Sequence, residues 1–385
     1  MILLKKLHYL FKKNPNYLFI LFLNFFRNNV TLKLFKNFGF SLFPELVTIL
    51  ITKRCNFGCP GCSSSSPEYT RNFKIEPAEL TTTEIKKIID QVSAFKPFIY
   101  FSGGEPTLRG DLLELIEYAK EKKLVCALTT NGSLTNKKFL EKLVKTKLDF
   151  LSVSIDGSES FHNRMRNHKD AFRKASGAIK DLVGLKKLHK ITYPNIRLAS
   201  IIYPEKIKEA EFIVNLANRL EVDEIGFGPL MYYPGRIIKE QNLFNQKFGT
   251  IGLSPIGLEV GDGHKFNFFS KEYLKFLDFV TKNAKIPVFF AYNGGQYDKY
   301  FNPKISPAGN SICFSPWNGL VIQPNGDLEV CKGFKFGNIK EGLILKEWNN
   351  RRIRNFRKLR AKKPFPACFR CNEGQKLKFA ISRKV

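Results

Sequence analysis

The sequence predicts an α/β protein built on a parallel sheet, closed or partly closed, with a small cysteine-bearing unit at its C-terminal end. Between Leu46 and about Gly228, short apolar runs of strand type alternate with longer stretches of helical periodicity, giving six strand–helix units. The residues with chemical potential follow directly after those runs, where barrels of this class keep their sites. Further on, Pro324-Asn325-Gly326-Asp327 is a hairpin signal with cysteines on either side. A chain of 385 residues allows two or three domains.

The elements run in order from an apolar strand, Leu46 to Thr52. Thr81-x-x-Glu84 is a capping box, and Ile85, Ile88, Ile89 and Val92 after it share one helical face. Phe98 to Phe101 is the second strand, and Leu112, Leu113, Leu115 and Ile116 mark a second amphipathic helix. Later strands are expected at Leu124 to Leu128, Phe150 to Ile155, Ile196 to Ile202 and Glu224 to Phe227, with a helix from Ile207 to Leu220. From Leu230 to about Ser306 the periodicity is poor. Tyr232, Tyr233, Phe268, Phe269, Phe289, Phe290 and Tyr292 there either line a pocket or belong to bridging structure packed on the sheet, the simpler reading for any one of them. The expected organisation is a basic, apolar helical segment over 1–44, a core over 45–229, a bridging region over 230–306 and a cysteine unit over 307–385. No internal repeat is visible.

The most informative residues are Cys55, Cys59 and Cys62, spaced C-x3-C-x2-C after the first strand. Soft thiolate ligands converging from a tight loop select iron–sulfur or zinc. A cubane cluster takes four ligands, so three leave one iron open. A structural zinc site would want a fourth local Cys or His, and none occurs from Ser63 to Ser66. The second strand runs into Ser102-Gly103-Gly104-Glu105-Pro106, where glycines permit close backbone approach to a ligand and Glu105 adds a carboxylate.

These two motifs, one strand and one helix apart, resemble the radical S-adenosylmethionine superfamily. The resemblance implies a partial (β/α)6 TIM-like barrel with its site at the C-terminal strand ends. It also implies a [4Fe–4S] cluster on Cys55, Cys59 and Cys62, with an open iron that chelates S-adenosylmethionine. Gly103, Gly104 and Glu105 would hold the methionine amino group. Leu128-Thr129-Thr130-Asn131-Gly132 is similar to the family's third-strand motif and brings in Asn131. Leu151 to Gly157 closes the fourth strand, where the family uses a polar residue for the ribose, which brings in Ser154 and Asp156. His162-x3-Arg166 looks like the family's segment for the methionine carboxylate, a role that suits the guanidinium fork of Arg166. Gly61 stands where the family usually has a bulky residue against adenine, so adenine contacts are expected from elsewhere.

Of the other cysteines, Cys126 sits in an apolar strand and reads as core packing. Cys313, Cys331, Cys368 and Cys371 form a set, with Gly326-x4-Cys331 on the hairpin and a closing C-x2-C. This set resembles the auxiliary-cluster domains of the SPASM and twitch groups. Four thiolates fit one fully ligated auxiliary [4Fe–4S] cluster, the twitch-like arrangement, and a zinc ribbon is the alternative. A disulfide framework fits less well, because an oxygen-sensitive cluster belongs in a reducing cytoplasm.

The chain has 63 basic and 34 acidic residues, a net charge of +29, which points to an anionic partner or surface. Residues 1–44 contain no Asp or Glu but carry Lys5, Lys6, Lys12, Lys13, Arg27, Lys33 and Lys36 among many Phe and Leu residues. Tyr17 to Phe26 is too short to span a bilayer, which takes about 20 residues. No small-residue cleavage site follows it. The expectation is a helix pair lying on a membrane surface, with packing on the barrel or a partner as the alternative. The run Arg351 to Arg360 could face lipid or nucleic acid, although most such runs are solvated helix faces, and no RNA-binding module accompanies it. No Ser/His/Asp set or carboxylate pair points to hydrolysis. The function expected is reductive cleavage of S-adenosylmethionine to a 5′-deoxyadenosyl radical that takes hydrogen from a lipid or lipid-linked substrate. A ribosomally made peptide is the runner-up, and a non-catalytic metal scaffold the third reading. The resemblance further implies a cytoplasmic electron donor of flavodoxin or ferredoxin type.

Overall fold

The computed structural model describes residues 35–60, 62, 79–250, 252–253, 258–261, 270–291, 300–301, 313–331, 333–368, 371 and 379–381. The expectations placed on 1–34, Gly61, Phe268, Phe269 and Tyr292 lie outside the described residues.

Leu46–Leu50 (β1), Phe98–Ser102 (β2), Val125–Thr130 (β3), Phe150–Ser154 (β4), Asn195–Ile202 (β5) and Glu224–Pro229 (β6) pair side by side in sequence order, all parallel. The crossovers are Thr82–Ser93 (α1), Leu112–Glu121 (α2), Lys137–Lys145 (α3), Glu159–Arg166 (α4), Ala171–Leu188 (α5) and Ile207–Leu220 (α6). This is the partial barrel that the alternation and the resemblance together predict. The capping box starts α1 as read: the Glu84 amide donates to the Thr81 hydroxyl, and the Thr81 amide donates to the Glu84 carboxylate.

Strand alternation decides which face meets the helices. Val47, Ile49, Ile99, Phe101, Leu151 and Val153 are buried and pack with Ile85, Ile88, Leu115 and Ile116 of the helical layer. The opposite, concave face carries half-buried Thr48, Tyr100 and Ser152. Arg197 of β5 and Glu224 of β6 bridge in adjacent strands, and the Arg197 guanidinium lies 5.8 Å from the Phe289 ring centroid.

Residues 230–306 hold more structure than their periodicity predicts. Tyr232–Pro234 (β7) pairs with Leu258–Val260 (β8), Gly235–Phe248 (α7) and Ser270–Asn283 (α8) are helices, and Val288–Phe290 (β9) joins the main sheet parallel to β6. Tyr232, Phe289 and Phe290 are buried and Tyr233 half-buried, with Phe290 stacked on Phe227 at 5.4 Å. The aromatics of this stretch that are described therefore serve mainly as core.

The C-terminal unit consists of Ser315–Asn318 (α9), Gly319–Ile322 (β10), Asp327–Val330 (β11), Phe334–Asn338 (β12), Ile344–Glu347 (α10), Arg351–Lys362 (α11) and Phe379–Ile381 (β13). The β10–β11 hairpin turns through Gly326, whose φ of +90° disfavours any other residue. Its first strand pairs parallel to β1, and β13 pairs antiparallel to β9 at the far edge. Among the described residues the sheet has eleven strands in the order β12-β11-β10-β1-β2-β3-β4-β5-β6-β9-β13.

The structure bears on two further sequence expectations. The basic run in α11 is not simply a solvated face, because Ile353, Phe356, Arg357 and Arg360 are buried together along one side. The described end of the N-terminal segment packs on protein. The Ser41 hydroxyl donates to the Trp317 carbonyl at 2.7 Å, and the Asn349 amide donates to the Ser41 carbonyl at 2.7 Å. Among the described residues no helix is long and apolar enough to cross a membrane.

Candidate active site

The loop after β1 is held at several points. The Thr52 hydroxyl and the Lys53 amide donate to Glu79, at 2.7 and 3.0 Å. Asn131 donates its side-chain amide to Asn56 at 3.0 Å, and Asn56 donates to the Ser133 hydroxyl at 2.8 Å. The buried Phe57 ring lies 4.7 Å from the His168 imidazole. The Cys62 amide donates to the Cys59 carbonyl at 3.2 Å, closing the turn between two of the cysteines.

These constraints bring Cys55, Cys59 and Cys62 together as free thiols. Burial raises the Cys55 thiol, and neighbouring Glu105, Cys59 and Cys62 raise it further against the Phe57 amide. At Cys59 burial also raises the thiol, with Arg166 as the strongest opposing influence. Thiols that repel one another as they ionise are poised to be neutralised by a shared cation or cluster.

The two glycines also make a close approach within the protein. A Cβ at Gly103 would stand 2.4 Å from the Thr52 carbonyl oxygen, and one at Gly104 would stand 2.3 Å from that of Arg54. The Gly104 and Glu105 amides donate to those same carbonyls, each at 2.8 Å. The close approach that needs glycine is to the cysteine loop itself, and the Gly-Gly pair welds the end of β2 to that loop.

Glu105 is likewise tied inward and nearly fully buried. Its carboxylate accepts from the Thr107 amide and hydroxyl at 3.1 and 2.6 Å, the Thr130 hydroxyl at 2.7 Å and the Asn131 amide at 2.7 Å. Those four donors make it a clasp between the ends of β2 and β3. Asn131 serves the same assembly, since it also anchors Asn56.

Beyond β4, Asp156 is buried and pairs with Arg166 at 2.8 Å, while the Ile201 amide donates to it at 3.2 Å. Burial alone would raise the Asp156 carboxyl, but Arg166 and that amide oppose it, and the carboxyl lies below the usual range. His162 is not an ion-pair partner despite its 3.6 Å separation from Asp156. Its Nδ1 accepts from the Asp156 amide at 3.1 Å, and burial lowers its pKa, so the ring is neutral. Arg166 also reaches the Cys59 sulfur at 4.0 Å, and its buried Nε has no partner among the described residues. A guanidinium between a carboxylate and a thiol, with one donor unspent, fits an anionic ligand group at the cysteine loop. The Ser154 hydroxyl, at the end of β4, is half-buried.

Sequence reading missed three contributors: Asn56 inside the cysteine motif, the inward Arg197–Glu224 pair, and Tyr203. Tyr203 follows β5, and burial and Asp156 push its hydroxyl up while Arg166 opposes them. The alternation Asn195-Ile196-Arg197-Leu198 could have placed Arg197 on the concave face.

The second set, Cys313, Cys331, Cys368 and Cys371, also gathers, with no disulfide among the four. Burial pushes Cys331 far up, and Cys313, Cys368 and Cys371 each add to the rise. Cys331 has a φ of +56°, and the Cys371 amide donates to the Cys368 carbonyl at 3.3 Å. Among the described residues no three acidic, thiol or imidazole groups are close enough to hold a single metal ion. Cys126 is buried within β3, and burial drives its thiol far above the ordinary range.

Comparison with known proteins bears on both sites. The family model described as "Radical SAM superfamily" matches residues 49–197, and that of the SPASM "Iron-sulfur cluster-binding domain" matches 313–372. An Fe-coproporphyrin III synthase of Methanosarcina barkeri is 33% identical over 47% of this chain and 43% of its own length. A PqqA peptide cyclase of Bradyrhizobium diazoefficiens is 27% identical over 70% of this chain and 66% of its own. The chain spans less than half the length of the first curated relatives it matches. Streptococcus suis SuiB, solved with its precursor peptide SuiA, shares the fold with a TM-score of 0.59 at 15% identity, over 84% of this chain and 68% of SuiB. The two matched domains imply a [4Fe–4S] cluster, S-adenosylmethionine and auxiliary iron–sulfur, and both thiol sets fit those groups.

Proposed function

Because the chain belongs to the radical SAM superfamily and carries an SPASM iron–sulfur domain, we propose that it modifies a peptide by radical chemistry. The observation that carries the radical half is the welded junction of the Cys55–Cys62 loop with Gly103, Gly104 and Arg166. When bound, the cluster and S-adenosylmethionine supply a reducing electron and a hydrogen-abstracting radical. The chain's own work is to bind and orient. Arg166, with Asp156 fixing one side of its fork, offers its remaining donors to a carboxylate such as that of the methionine moiety. Gly103 and Gly104 lie at the same strand end, and no described residue donates to their carbonyls, which leaves those acceptors for an ammonium group. Ser154 and Asp156 stand at the next strand ends for hydroxyl contacts. The concave face, with Thr48, Tyr100, Ser152, Arg197 and Glu224, receives the substrate.

A peptide is favoured over a lipid by the extent of likeness. The match to a peptide cyclase runs through 70% of this chain, whereas that to the tetrapyrrole synthase covers 47%. The fold likeness to a peptide-bound enzyme agrees with it. The lipid reading rests on residues 1–44, of which Ser41 is tied to the C-terminal unit by hydrogen bonds with Asn349 and Trp317. Four cysteines provide for one auxiliary cluster, the twitch-like arrangement, and a flavodoxin or ferredoxin would deliver the electron.

Anaerobic reconstitution with reductant and S-adenosylmethionine tests the proposal against peptide and lipid fractions of cell extract. Formation of 5′-deoxyadenosine coupled to a mass change in a peptide is the expected result. A mass change confined to the lipid fraction would reverse the choice of substrate, and no 5′-deoxyadenosine at all would overturn the radical reading.

A further inference from the structure

Helix α11 turns Ile353, Phe356, Arg357 and Arg360 into the protein. Arg351, Arg354, Lys358 and Lys362 stand at i, i+3, i+7 and i+11, on the side opposite Ile353 and Arg360. Arg351, Lys358 and Lys362 are exposed and Arg354 is half-buried. No Asp or Glu occurs between Glu347 and Glu373, and none of these four basic side chains is in an ion pair among the described residues. Exposed basic residues of other helices are neutralised locally: Arg173 of α5 pairs with Asp170, Arg236 of α7 with Glu240 and Lys282 of α8 with Asp278. The outer face of α11 is a basic stripe about 18 Å long, at about 1.5 Å for each of twelve residues.

Each end of the stripe meets an exposed aromatic ring. Arg354 donates to the Phe38 carbonyl at 3.4 Å, and Phe38 is 60% exposed. Just past the other end, the Lys363 ammonium lies 4.1 Å from the ring centroid of Phe248, which is 36% exposed at the end of α7. Apolar anchors within a charged surface are the make-up of a protein-docking face. The inner side of the helix lies over the cysteine unit. Phe356 stacks at 3.9 Å on Phe334, three residues beyond Cys331, and lies 5.1 Å from Phe365, whose carbonyl accepts from the Cys368 amide at 2.9 Å. One layer of rings separates α11 from the segments that carry those two cysteines. The register Ile49–Ile322–Leu328 and Val330–Phe334 puts Phe334 on the helical side of the sheet, so α11 packs away from the concave face.

We propose that the outer face of α11 docks an acidic protein that carries single electrons, and that this carrier reduces the iron–sulfur group of Cys313, Cys331, Cys368 and Cys371. This rests on the radical reading above and names where its electron enters. The carrier loses one electron and the iron–sulfur group gains one, with no bond made or broken. A carrier seated on α11 leaves the concave face open to substrate. Steering between opposite charges speeds the encounter without a large interface.

The probe is an acidic flavodoxin, and the full chain is reconstituted anaerobically with iron and sulfide. Binding is followed by calorimetry from low to high salt. Arg351→Gln, Lys358→Gln and Lys362→Gln together should weaken it about tenfold or more at low salt and flatten the salt dependence. Lys137→Gln, Lys138→Gln and Lys142→Gln together remove the same charge from the exposed side of α3 and should leave affinity near that of the parent. In the chain with Cys55, Cys59 and Cys62 all changed to Ala, reduced flavodoxin should bleach the remaining iron–sulfur absorption, about tenfold more slowly after the α11 changes. Equal losses in the two triple variants would make the effect one of net charge and overturn the proposal, as would a bleaching rate that the α11 changes leave unaltered. A single-stranded RNA oligonucleotide that displaces flavodoxin, and that binds less well only to the α11 variant, would overturn it in favour of nucleic acid. Dithionite bypasses any carrier. No 5′-deoxyadenosine from the parent with dithionite would overturn the radical reading, whereas its formation beside unchanged flavodoxin binding in the α11 variant sinks only the docking face.

Discussion

Removing the Glu105 carboxylate should unfasten the fold before it affects any ligand. Two of its four donors are backbone amides, those of Thr107 and Asn131, which cannot turn away. The two hydroxyls can rotate, and that of Thr130 already accepts from the Gly132 amide at 3.0 Å. A buried donor left unsatisfied costs about 1–3 kcal/mol, so Glu105→Ala should destabilise by about 2–6 kcal/mol through the two amides. Glu105→Gln keeps an oxygen for the Thr107 and Thr130 donors but turns an NH2 toward the Asn131 amide. It should lose about 1–3 kcal/mol, the cost of one orphaned donor. Urea unfolding of the apo chain under anaerobic conditions gives the order wild type, Gln, Ala. Equilibrium binding of S-adenosylmethionine to the reconstituted protein is measured alongside. If Glu105→Ala unfolds at the wild-type urea midpoint and yet no longer binds the cofactor, the carboxylate is a ligand and the clasp is the wrong account.

Further perturbations probe the other contacts. Arg166→Met strands the buried Asp156 carboxylate and should cost about 3–5 kcal/mol, readable by the same unfolding. Asp156 has a depressed folded pKa, so its contribution is complete above the ordinary value of about 4 and fades as pH falls through the folded value. Asp156→Asn should therefore flatten the acid limb of the stability profile, and an unaltered limb would remove Asp156 from the account. Changing Cys55, Cys59 and Cys62 together to Ala should lower reconstituted iron from about eight to about four per chain, whereas Cys126→Ala should leave about eight. Deleting residues 1–34, which spares the packed residues 35–44, should release the chain from anionic vesicles if that basic segment adheres to them. Equal sedimentation of both forms would end the membrane expectation.

Much of the core could be read from the sequence because its signals are local. The capping box at Thr81 and the buried alternation of Val47 with Ile49 are settled within a few residues, and the helix Ile207–Leu220 falls where it is expected. Strand ends shift by a residue or two, as at Val125–Thr130, because pairing partners rather than composition decide them. The three-residue strand Val288–Phe290 escapes detection, since so short a run has no period to show. The clasp at Glu105 is hidden for a different reason. Its motif marks the place, but its partners Thr130 and Asn131 lie a strand away, and only the fold brings their donors to the carboxylate. The buried side of α11 is hidden because a charged residue counts as outward until the fold shows Arg357 and Arg360 turned inward beside Ile353 and Phe356.

Strand β1 joins the two cysteine sets through one sheet. Leu46 pairs with Phe98 of β2 on one side and with Gly319 of β10 on the other, so the cysteine hairpin continues the barrel sheet in register. The loop that carries Cys55 leaves one end of β1, and burial raises the carboxyl of Glu329 on β11, with Gln323 and the loop's Lys53 opposing it only in part. The Glu105 amide clamps that same loop through the Arg54 carbonyl at 2.8 Å. A tilt of the C-terminal hairpin must therefore strain β1 and, through it, the loop. This coupling requires no moving domain, only a parallel pairing held on both sides of one strand.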